Sequence, residues 1–312
     1  MPFGQRARSS RGRETVITEP APTATKANVP AEVVGGAREW RAFARNPMSW
    51  VGVGLLCLIV AFSFLGPVID RTNPYTPNLL ATLAPPSRLH PLGTDNLGRD
   101  YLVRLMVGGQ LSLEVGGAAA GLTMIIGVGY GLVSGYLGGA VDAVLMRILD
   151  VLYAIPSLFL ILAVDALFQP GATVLVVVIA VFSWFGVARL VRGEILSLKE
   201  REFLEAARSF GATDARLMLK HLLPNVIGVV VVSTSLQVAN AILTVAGLSF
   251  LGLGLPPPTP NWGGMLSDSL NYLFQNAWWL TYPPGLAIVL VELGVNLAGD
   301  AVREAFDPRL GR

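Results

Sequence analysis

The chain has 312 residues, of which 53% are hydrophobic and 14% are charged, and its mean hydropathy is +0.57. Soluble domains carry about 25% charged residues, so the composition argues against an ordinary soluble protein. A single cysteine, Cys57, excludes a disulfide within the chain, and with only His90 and His221 beside it no Cys/His metal cluster can form. The net charge of +2 is too small to indicate a nucleic-acid partner.

The first 45 residues are basic and rich in Pro, Ala, Thr and Ser, which predicts a disordered cytoplasmic tail. The first apolar run begins only near Trp50, too far from the basic start for a signal peptide. Between them, Arg38 to Asn46 are predicted to form a short helix at the membrane interface, with Trp40 and Phe43 dipping into the headgroups.

Six apolar segments follow, each near the ~20 residues that cross a bilayer as a helix. They are approximately Trp50–Ile69, Ser112–Ser134, Val144–Phe168, Ala172–Val191, Val226–Leu251 and Gly285–Val302. The tripeptide Gln169-Pro170-Gly171 predicts a tight turn between the third and the fourth. The sequence therefore predicts an all-α integral membrane protein. Its parts are a first span with an extracytoplasmic segment (46–106), a core of five spans (107–303) and a C-terminal tail (304–312).

The distribution of Lys and Arg predicts the orientation of these spans. With the N-terminus inside, nineteen Lys and Arg residues fall on the inner side and four on the outer side. Cytoplasmic loops carry the excess of positive charge, so both termini are predicted to be cytoplasmic.

The first outer segment contains HPLGTDNLGRD, residues 90–100. Asp95, Asn96 and Asp100 do not follow the EF-hand spacing, so we interpret the block as a capped turn before the second span. Near the other outer loop, Trp262, Tyr272, Trp278, Trp279 and Tyr282 predict a stretch lying along the outer membrane surface.

The second span is rich in glycine at four-residue spacing, which predicts close packing of helices through Gly117, Gly121, Gly127, Gly131 and Gly135. In the next loop, Arg147 is expected to pair with Asp150 one turn on.

Acidic residues inside membrane segments cost about 2.5–3.5 kcal/mol at mid-helix and therefore face protein or water. Glu114 and Asp165 lie near outer ends, where we expect them to reach water. Glu292 lies near the middle of the last span and is a candidate for a pore-facing or subunit-bridging acid. The fifth span carries one polar stripe that either lines a translocation path or bonds across helices: Ser233, Gln237, Asn240 and Thr244.

A polar stretch, EAARSFGATDARLMLKHLLPN, separates the fourth and fifth spans at residues 205–225. Gly211 suits a helix C-cap with positive φ, and Thr213 suits the N-cap of a second short helix with Asp214 in its first turn. Pro224 is expected to break the chain before the fifth span. We predict one apolar face from Leu196, Phe203, Ala207 and Phe210, and another from Ala215, Met218, Leu219 and Leu222.

Such a pair, with Arg216 and Lys220 on a separate basic face, either docks onto a soluble partner or folds back on its own bundle. The spacing of Glu205-Ala206-Ala207, Gly211 and His221-Leu222-Leu223-Pro224 resembles the EAA signature of permease subunits of ABC importers. HPLGTDNLGRD, LSFLGLGLPPPTPNWGGML and the closing NLAGDAVREAFDPRLG resemble the C-type permease of the dipeptide, oligopeptide and nickel importers.

This resemblance implies the type I ABC importer permease fold in a bacterial plasma membrane. It also implies three kinds of partner: a second homologous permease, two ATPases and an extracytoplasmic solute-binding protein. The ATPase would contact Glu205, Ala206, Ala207, Gly211, Arg216, Lys220, His221 and Pro224.

No Gly-Lys dipeptide occurs, so the chain has no P-loop, and ATP and Mg are expected on the partner ATPases. The alternatives that stay open are a permease for nickel or another small solute, an ion-driven secondary transporter and, with the least support, an intramembrane enzyme.

Overall fold

The computed structural model describes residues 43–44, 46–168 and 171–306, and within these ranges the regular structure is helical. The predicted disordered tail (1–45) lies outside them except for residues 43–44, which are helical. Most of the predicted interfacial helix, the Gln169-Pro170 part of the predicted turn and residues 307–312 also lie outside the described ranges. Between residues 46 and 306, the described part of the chain forms ten helices: α1 Pro47–Ile69, α2 Tyr101–Leu137, α3 Gly139–Tyr153, α4 Ser157–Phe168, α5 Ala172–Ser183, α6 Phe185–Lys199, α7 Glu202–Ser209, α8 Asp214–Phe250, α9 Trp262–Ser269 and α10 Trp278–Phe306. Short 3₁₀ helices lie at Leu79–Ala81 and Leu270–Gln275.

Four of these helices, α1, α2, α8 and α10, are individually long and apolar enough to cross a membrane. Two further spans are bent pairs: α3 and α4 meet at 68°, and α5 and α6 meet at 47°. The predicted third and fourth spans are therefore not single helices. The third breaks before Pro156, which has no N–H to continue the helical ladder. Counting each bent pair as one span gives up to six.

The bundle has two ends with different chain connections. One end, here called the polar end, carries α7 and the start of α8, and also the end of α2. The other, the loop end, carries the long connections 70–100 and 251–277. Hydrogen bonds tie the start of α10 to this end: Trp279 Nε1 donates to the Thr94 carbonyl of the first connection (3.2 Å), and the Tyr101 hydroxyl of α2 donates to the Leu280 carbonyl (2.6 Å).

The capped turn predicted before the second span is confirmed. Asp100 is the N-cap of α2 and accepts a hydrogen bond from the Val103 amide (3.1 Å). Its other carboxylate oxygen lies 2.8 Å from Nδ1 of His90, and Asp95 accepts a hydrogen bond from Nε of Arg99 (2.6 Å). The acids of this turn thus serve to fix the loop at the start of α2.

The predicted close packing through the glycine face of α2 is confirmed only in the second half of the helix, where the partner is α6. Cβ atoms built on Gly127, Gly131 and Gly135 would lie within 2.5–2.8 Å of Val187, Ala188 and Ile195 respectively. A Cβ built on Gly117 or Gly121 would have no neighbour within 4 Å among the described residues, so these two glycines make no close helix contact within the chain. Instead Gly116 faces Ile242 of α8.

Two other predictions need correction. Asp150 pairs with Arg189 of α6 (2.6 Å) rather than with Arg147. The reason is that α6 packs on α3 and places the Arg189 guanidinium beside Asp150, where it also lies over the Tyr153 ring. Trp262 and Trp279 do not lie along the outer surface. Both are buried, and the indole N–H group of each donates a hydrogen bond to a backbone carbonyl, as a buried tryptophan requires. Trp278 and Tyr282 are exposed, as predicted.

Replacement of Gly131 by Ala should destabilise the bundle, because the added methyl would lie 2.5 Å from the Ala188 carbonyl oxygen and force α2 and α6 apart. Overpacking of this kind costs about 1–3 kcal/mol. Gly121→Ala is the matched control, since the same methyl meets open space on the same helix. Thermal unfolding of the purified protein in nanodiscs should show a lower Tm for Gly131→Ala alone; equal melting of the two variants would contradict this packing.

Candidate functional site

The polar segment, residues 201–225, includes α7, which contains Glu205, Ala206 and Ala207. The helix ends as predicted: Gly211 has φ of +80°, a conformation that glycine adopts without steric cost. Thr213 then caps α8, its hydroxyl oxygen accepting a hydrogen bond from the Arg216 amide (3.4 Å), with Asp214 in the first turn.

The prediction of a chain break at Pro224 is wrong. Helix α8 continues from Asp214 to Phe250, and a π-helical stretch at Leu217–Leu222 precedes the proline. In that stretch the Leu223 amide donates to the Met218 carbonyl, five residues back. The wider turn leaves room for a residue without an N–H, so the helix passes through Pro224 instead of stopping.

The predicted apolar faces are correct at Ala207, Met218 and Leu222, which pack into the core, but wrong at Leu219, Phe203 and Phe210. The π-helical stretch explains the error at Leu219. Leu217 and Leu222, five residues apart, are both fully buried, whereas Leu219 is 62% exposed. In α7 the buried residue is Leu204, while Phe203 and Phe210 are 41% and 91% exposed. The segment therefore buries one leucine-rich side against α2 and α6 and leaves large apolar side chains on its other side.

A tyrosine at the end of α2 anchors the polar segment to the bundle. The buried Tyr136 donates its hydroxyl to the Asp214 carboxylate at the start of α8. Lys199, at the end of α6, donates from Nζ to the Tyr136 carbonyl (2.6 Å). The guanidinium of Arg208 in α7 lies 5.8 Å from the Tyr136 ring. One side chain thus contacts both helices of the segment. This anchor was not found from the sequence, because Tyr136 and Asp214 are 78 residues apart.

A second polar contact holds the neighbouring helices in place. Arg192 of α6 forms two hydrogen bonds of 2.6 Å with the Asp142 carboxylate of α3, and Ser134 of α2 donates to the same carboxylate. Paired guanidinium–carboxylate hydrogen bonds of this kind are directional as well as strong. They fix α2, α3 and α6 beneath the polar segment.

The exposed side of the polar segment combines apolar and charged groups. Glu205, Ala206, Arg216, Lys220 and Pro224 are exposed, and Ala207 and His221 are partly buried. His221 also accepts a hydrogen bond at its carbonyl from Nδ2 of Asn225 (2.6 Å). Within the described ranges no three His, Cys, Asp or Glu residues are grouped so as to hold a metal.

Three of the four side chains in the polar stripe of the fifth span donate hydrogen bonds to backbone carbonyls of the chain. Ser233 and Thr244 donate to carbonyls one turn back on α8, and Gln237 donates to the Ser183 carbonyl at the end of α5 (3.2 Å). Asn240 is exposed. On α10, Glu292 is partly buried, and its enclosed Oε1 has no hydrogen-bond partner in the part of the chain that the structure describes.

These features are those of a multi-pass helical membrane protein with an exposed polar segment between two spans. Residues 127–312 match the family described as "Binding-protein-dependent transport system inner membrane component", and residues 37–86 match "N-terminal TM domain of oligopeptide transport permease C". The chain belongs to the first of these families, and its N-terminal part to the second.

Curated relatives resemble the chain over most of its length. The oligopeptide transport system permease protein OppC of Bacillus subtilis is 40% identical over 268 residues, 86% of this chain and 88% of the relative. The dipeptide transport system permease protein DppC of the same organism is 38% identical over 273 residues, covering 88% and 85%. A chain of the MetNI methionine ABC transporter, solved in an inward facing conformation, has a TM-score of 0.53 at 20% identity. It covers 65% of this chain and 96% of its own length, so the fold is that of an ABC importer permease.

Replacement of Tyr136 by Phe should loosen the polar segment, because it removes the hydrogen bond to Asp214 and keeps the ring. A hydrogen bond to a charged group contributes about 1.5–3 kcal/mol, so amide hydrogen exchange across 205–216 should quicken roughly tenfold or more. Tyr130→Phe is the matched control, since that hydroxyl donates to the Leu145 carbonyl of α3 instead. Equal exchange across 205–216 in the two variants would contradict the anchor.

Proposed function

We propose that this chain is one of two permease subunits of an ATP-driven importer of di- or oligopeptides in a bacterial plasma membrane, forming half of the translocation path. The observation that carries the substrate class is the 40% identity to an oligopeptide permease across 86% of the chain. The partners are a second homologous permease, two ATPase subunits that bind ATP and Mg, and an extracytoplasmic solute-binding protein.

Both termini and the polar end face the cytoplasm in this proposal. The support is the distribution of charge: the polar segment and the end of α6 carry Arg192, Lys199, Arg201, Arg208, Arg216 and Lys220, whereas the loop end has only Arg71, Arg88, Arg99 and Arg104. An excess of Lys and Arg marks the cytoplasmic side.

The polar segment is the docking surface for one ATPase subunit. Phe203, Phe210 and Leu219 are exposed on a segment that the basic residues hold outside the hydrocarbon core. Exposed apolar groups rimmed by charge are typical of protein–protein contacts, and aromatic anchors dominate their binding energy. The contact would include Glu205, Ala206, Ala207, Gly211, Arg216, Lys220, His221 and Pro224.

Transmission of force requires that this surface be rigid with respect to the spans. A shift of an inward/outward equilibrium from 1:99 to 99:1 requires about 5.5 kcal/mol of differential binding. The buried Leu204 and Leu217, together with the Tyr136–Asp214 hydrogen bond, hold the segment against α2 and α6. Movement of the ATPase would therefore move these spans rather than only the segment.

The translocation path is assigned to the polar side of α8 and to α10. The candidates are Ser233, Gln237, Asn240, Thr244 and Glu292. Support comes from the exposed Asn240 and from Glu292, whose enclosed Oε1 has no partner within the described residues. Polar groups at this depth face a path or a second subunit because lipid offers them no hydrogen bonds.

Replacement of Phe210 by Ala should weaken binding of the ATPase subunits roughly tenfold or more, because a 91% exposed ring would be buried in the complex. Phe274→Ala is the matched control: Phe274 is fully exposed too, but lies at the loop end. Association of purified permease and ATPase subunits, measured by biolayer interferometry, checks this. An unchanged affinity for Phe210→Ala would contradict the docking surface.

Replacement of Gly211 by Pro should abolish ATP-driven peptide uptake and leave membrane insertion intact. Proline fixes φ near −65°, which is incompatible with +80° at this position. Gly211→Asn is the control, because asparagine tolerates positive φ, and it should retain most of the uptake. Uptake into proteoliposomes, alongside the amount of inserted protein, gives the measurement; normal uptake by Gly211→Pro would refute the role of this turn.

A further inference from the structure

A cavity of about 260 Å³ opens at the loop end, on the opposite side of the bundle from the polar segment. It lies between the start of α2, the end of α4 and the loop that joins α8 to α9. The polar side chains in its wall come from four parts of the chain and include Arg99, Arg104, Asp165, Ser249, Asn261 and Asp268. None of them belongs to the polar segment or to the stripe of α8.

One wall of the cavity is cationic. Arg99 and Arg104 are only 9% and 5% exposed, and they share one carboxylate: Oδ2 of Asp95 lies 2.6 Å from Nε of Arg99 and 3.3 Å from Nε of Arg104. Nη1 of Arg104 donates to the Pro74 carbonyl (3.0 Å). Because these two guanidinium groups share the single carboxylate of Asp95, some of their N–H donors remain available to bind a second carboxylate. The fork geometry of arginine matches a carboxylate.

Another wall offers acceptors that nothing in the described chain satisfies. Asp165 is 1% exposed; its Oδ2 accepts a hydrogen bond from the Gly254 amide (2.6 Å), but its Oδ1 is buried without a partner. The Ser249 hydroxyl, also buried without a partner, adjoins Gly254 as well, since a Cβ there would lie 2.7 Å from it. The expectation that Asp165 reaches water is therefore wrong. Buried polar groups are nearly always hydrogen-bonded, so this pair calls for a donor.

A further carboxylate, that of Asp268, also lines the cavity. Asp268 is exposed, and its carboxylate is attracted by the positive charges of Arg104 and Arg99. The cavity thus presents cationic groups and acidic groups at once. A simple anion would satisfy only the arginines, and a simple cation only the acids.

We infer that this cavity binds a small zwitterion with a free carboxylate and a free ammonium group, such as a dipeptide. Arg99 and Arg104 hold the carboxylate, while Asp165 and Ser249 accept hydrogen bonds from the ammonium. This assignment rests on the proposed function for its choice of a peptide. It places a substrate contact on the permease itself, outside the translocation stripe.

The volume restricts the ligand further. Small-molecule pockets begin at about 300 Å³, so a cavity of 260 Å³ suits a ligand at the small end of the range. A dipeptide of small residues fits this limit, whereas a long oligopeptide does not fit as a whole. The free charged ends of the peptide, rather than its side chains, are what this lining recognises.

The test uses the complete transporter, with its second permease and ATPases, in nanodiscs and without the solute-binding protein. Calorimetric titration with L-alanyl-L-alanine should show binding, and Asp165→Asn should weaken it at least tenfold. N-acetylation or C-terminal amidation of the dipeptide should weaken binding to the unaltered protein to a similar degree. Asp70→Asn is the matched control, because it removes a carboxylate at the same end of the bundle but outside the cavity lining.

The chemically altered dipeptides keep the test valid even if Asp165→Asn fails to fold, since they require no variant. Absence of binding, or binding that ignores both Asp165→Asn and the loss of either charged end, would overturn the inference and leave the cavity filled by water. ATP-driven uptake of the same dipeptide, measured with the binding protein restored, separates the two proposals. Uptake without cavity binding refutes only this inference, whereas transport of no peptide by the complete system refutes the proposed function.

Discussion

Close packing of α6 against the glycine face of α2 is the contact on which the polar end depends. Gly131 and Gly135 let the backbone of α6 approach α2 to a distance that any side chain would prevent. That approach brings Lys199 to the end of α2, where its ammonium reaches the Tyr136 carbonyl. Without this close packing of α2 and α6, Leu204 and Leu217 of the polar segment would lose the apolar surface that buries them.

Helix α2 also connects the two ends of the molecule. Its N-terminus is held by Asp100 within a network of buried charges at the loop end, and its C-terminal turn holds the polar segment through Tyr136. A single helix of 37 residues therefore lies between the candidate peptide cavity and the proposed ATPase contact. Since helices are stiff along their axis, events at one end can change the position of groups at the other.

Much of this arrangement could be predicted from local sequence signals. Gly211 and Thr213 are read correctly because a C-cap and an N-cap depend on a few neighbouring residues. What failed required knowledge of distant partners or of altered helical geometry. Asp150 was assigned to Arg147 on its own helix, because sequence spacing cannot reveal that α6 supplies Arg189. Leu219 was placed on a buried face because a period of 3.6 residues was assumed where the helix is wider.

The π-helical stretch at Leu217–Leu222 sets the angular phase of the whole fifth span. An α-helix advances about 100° for each residue, and one residue accommodated in a wider turn rotates everything beyond it by about that angle relative to the start of α8. The direction in which Gln237 and Asn240 point is therefore determined about four turns earlier, at the π-helical stretch within the polar segment. Loss of a single residue there would leave every helix intact and yet turn the span's polar side towards different neighbours.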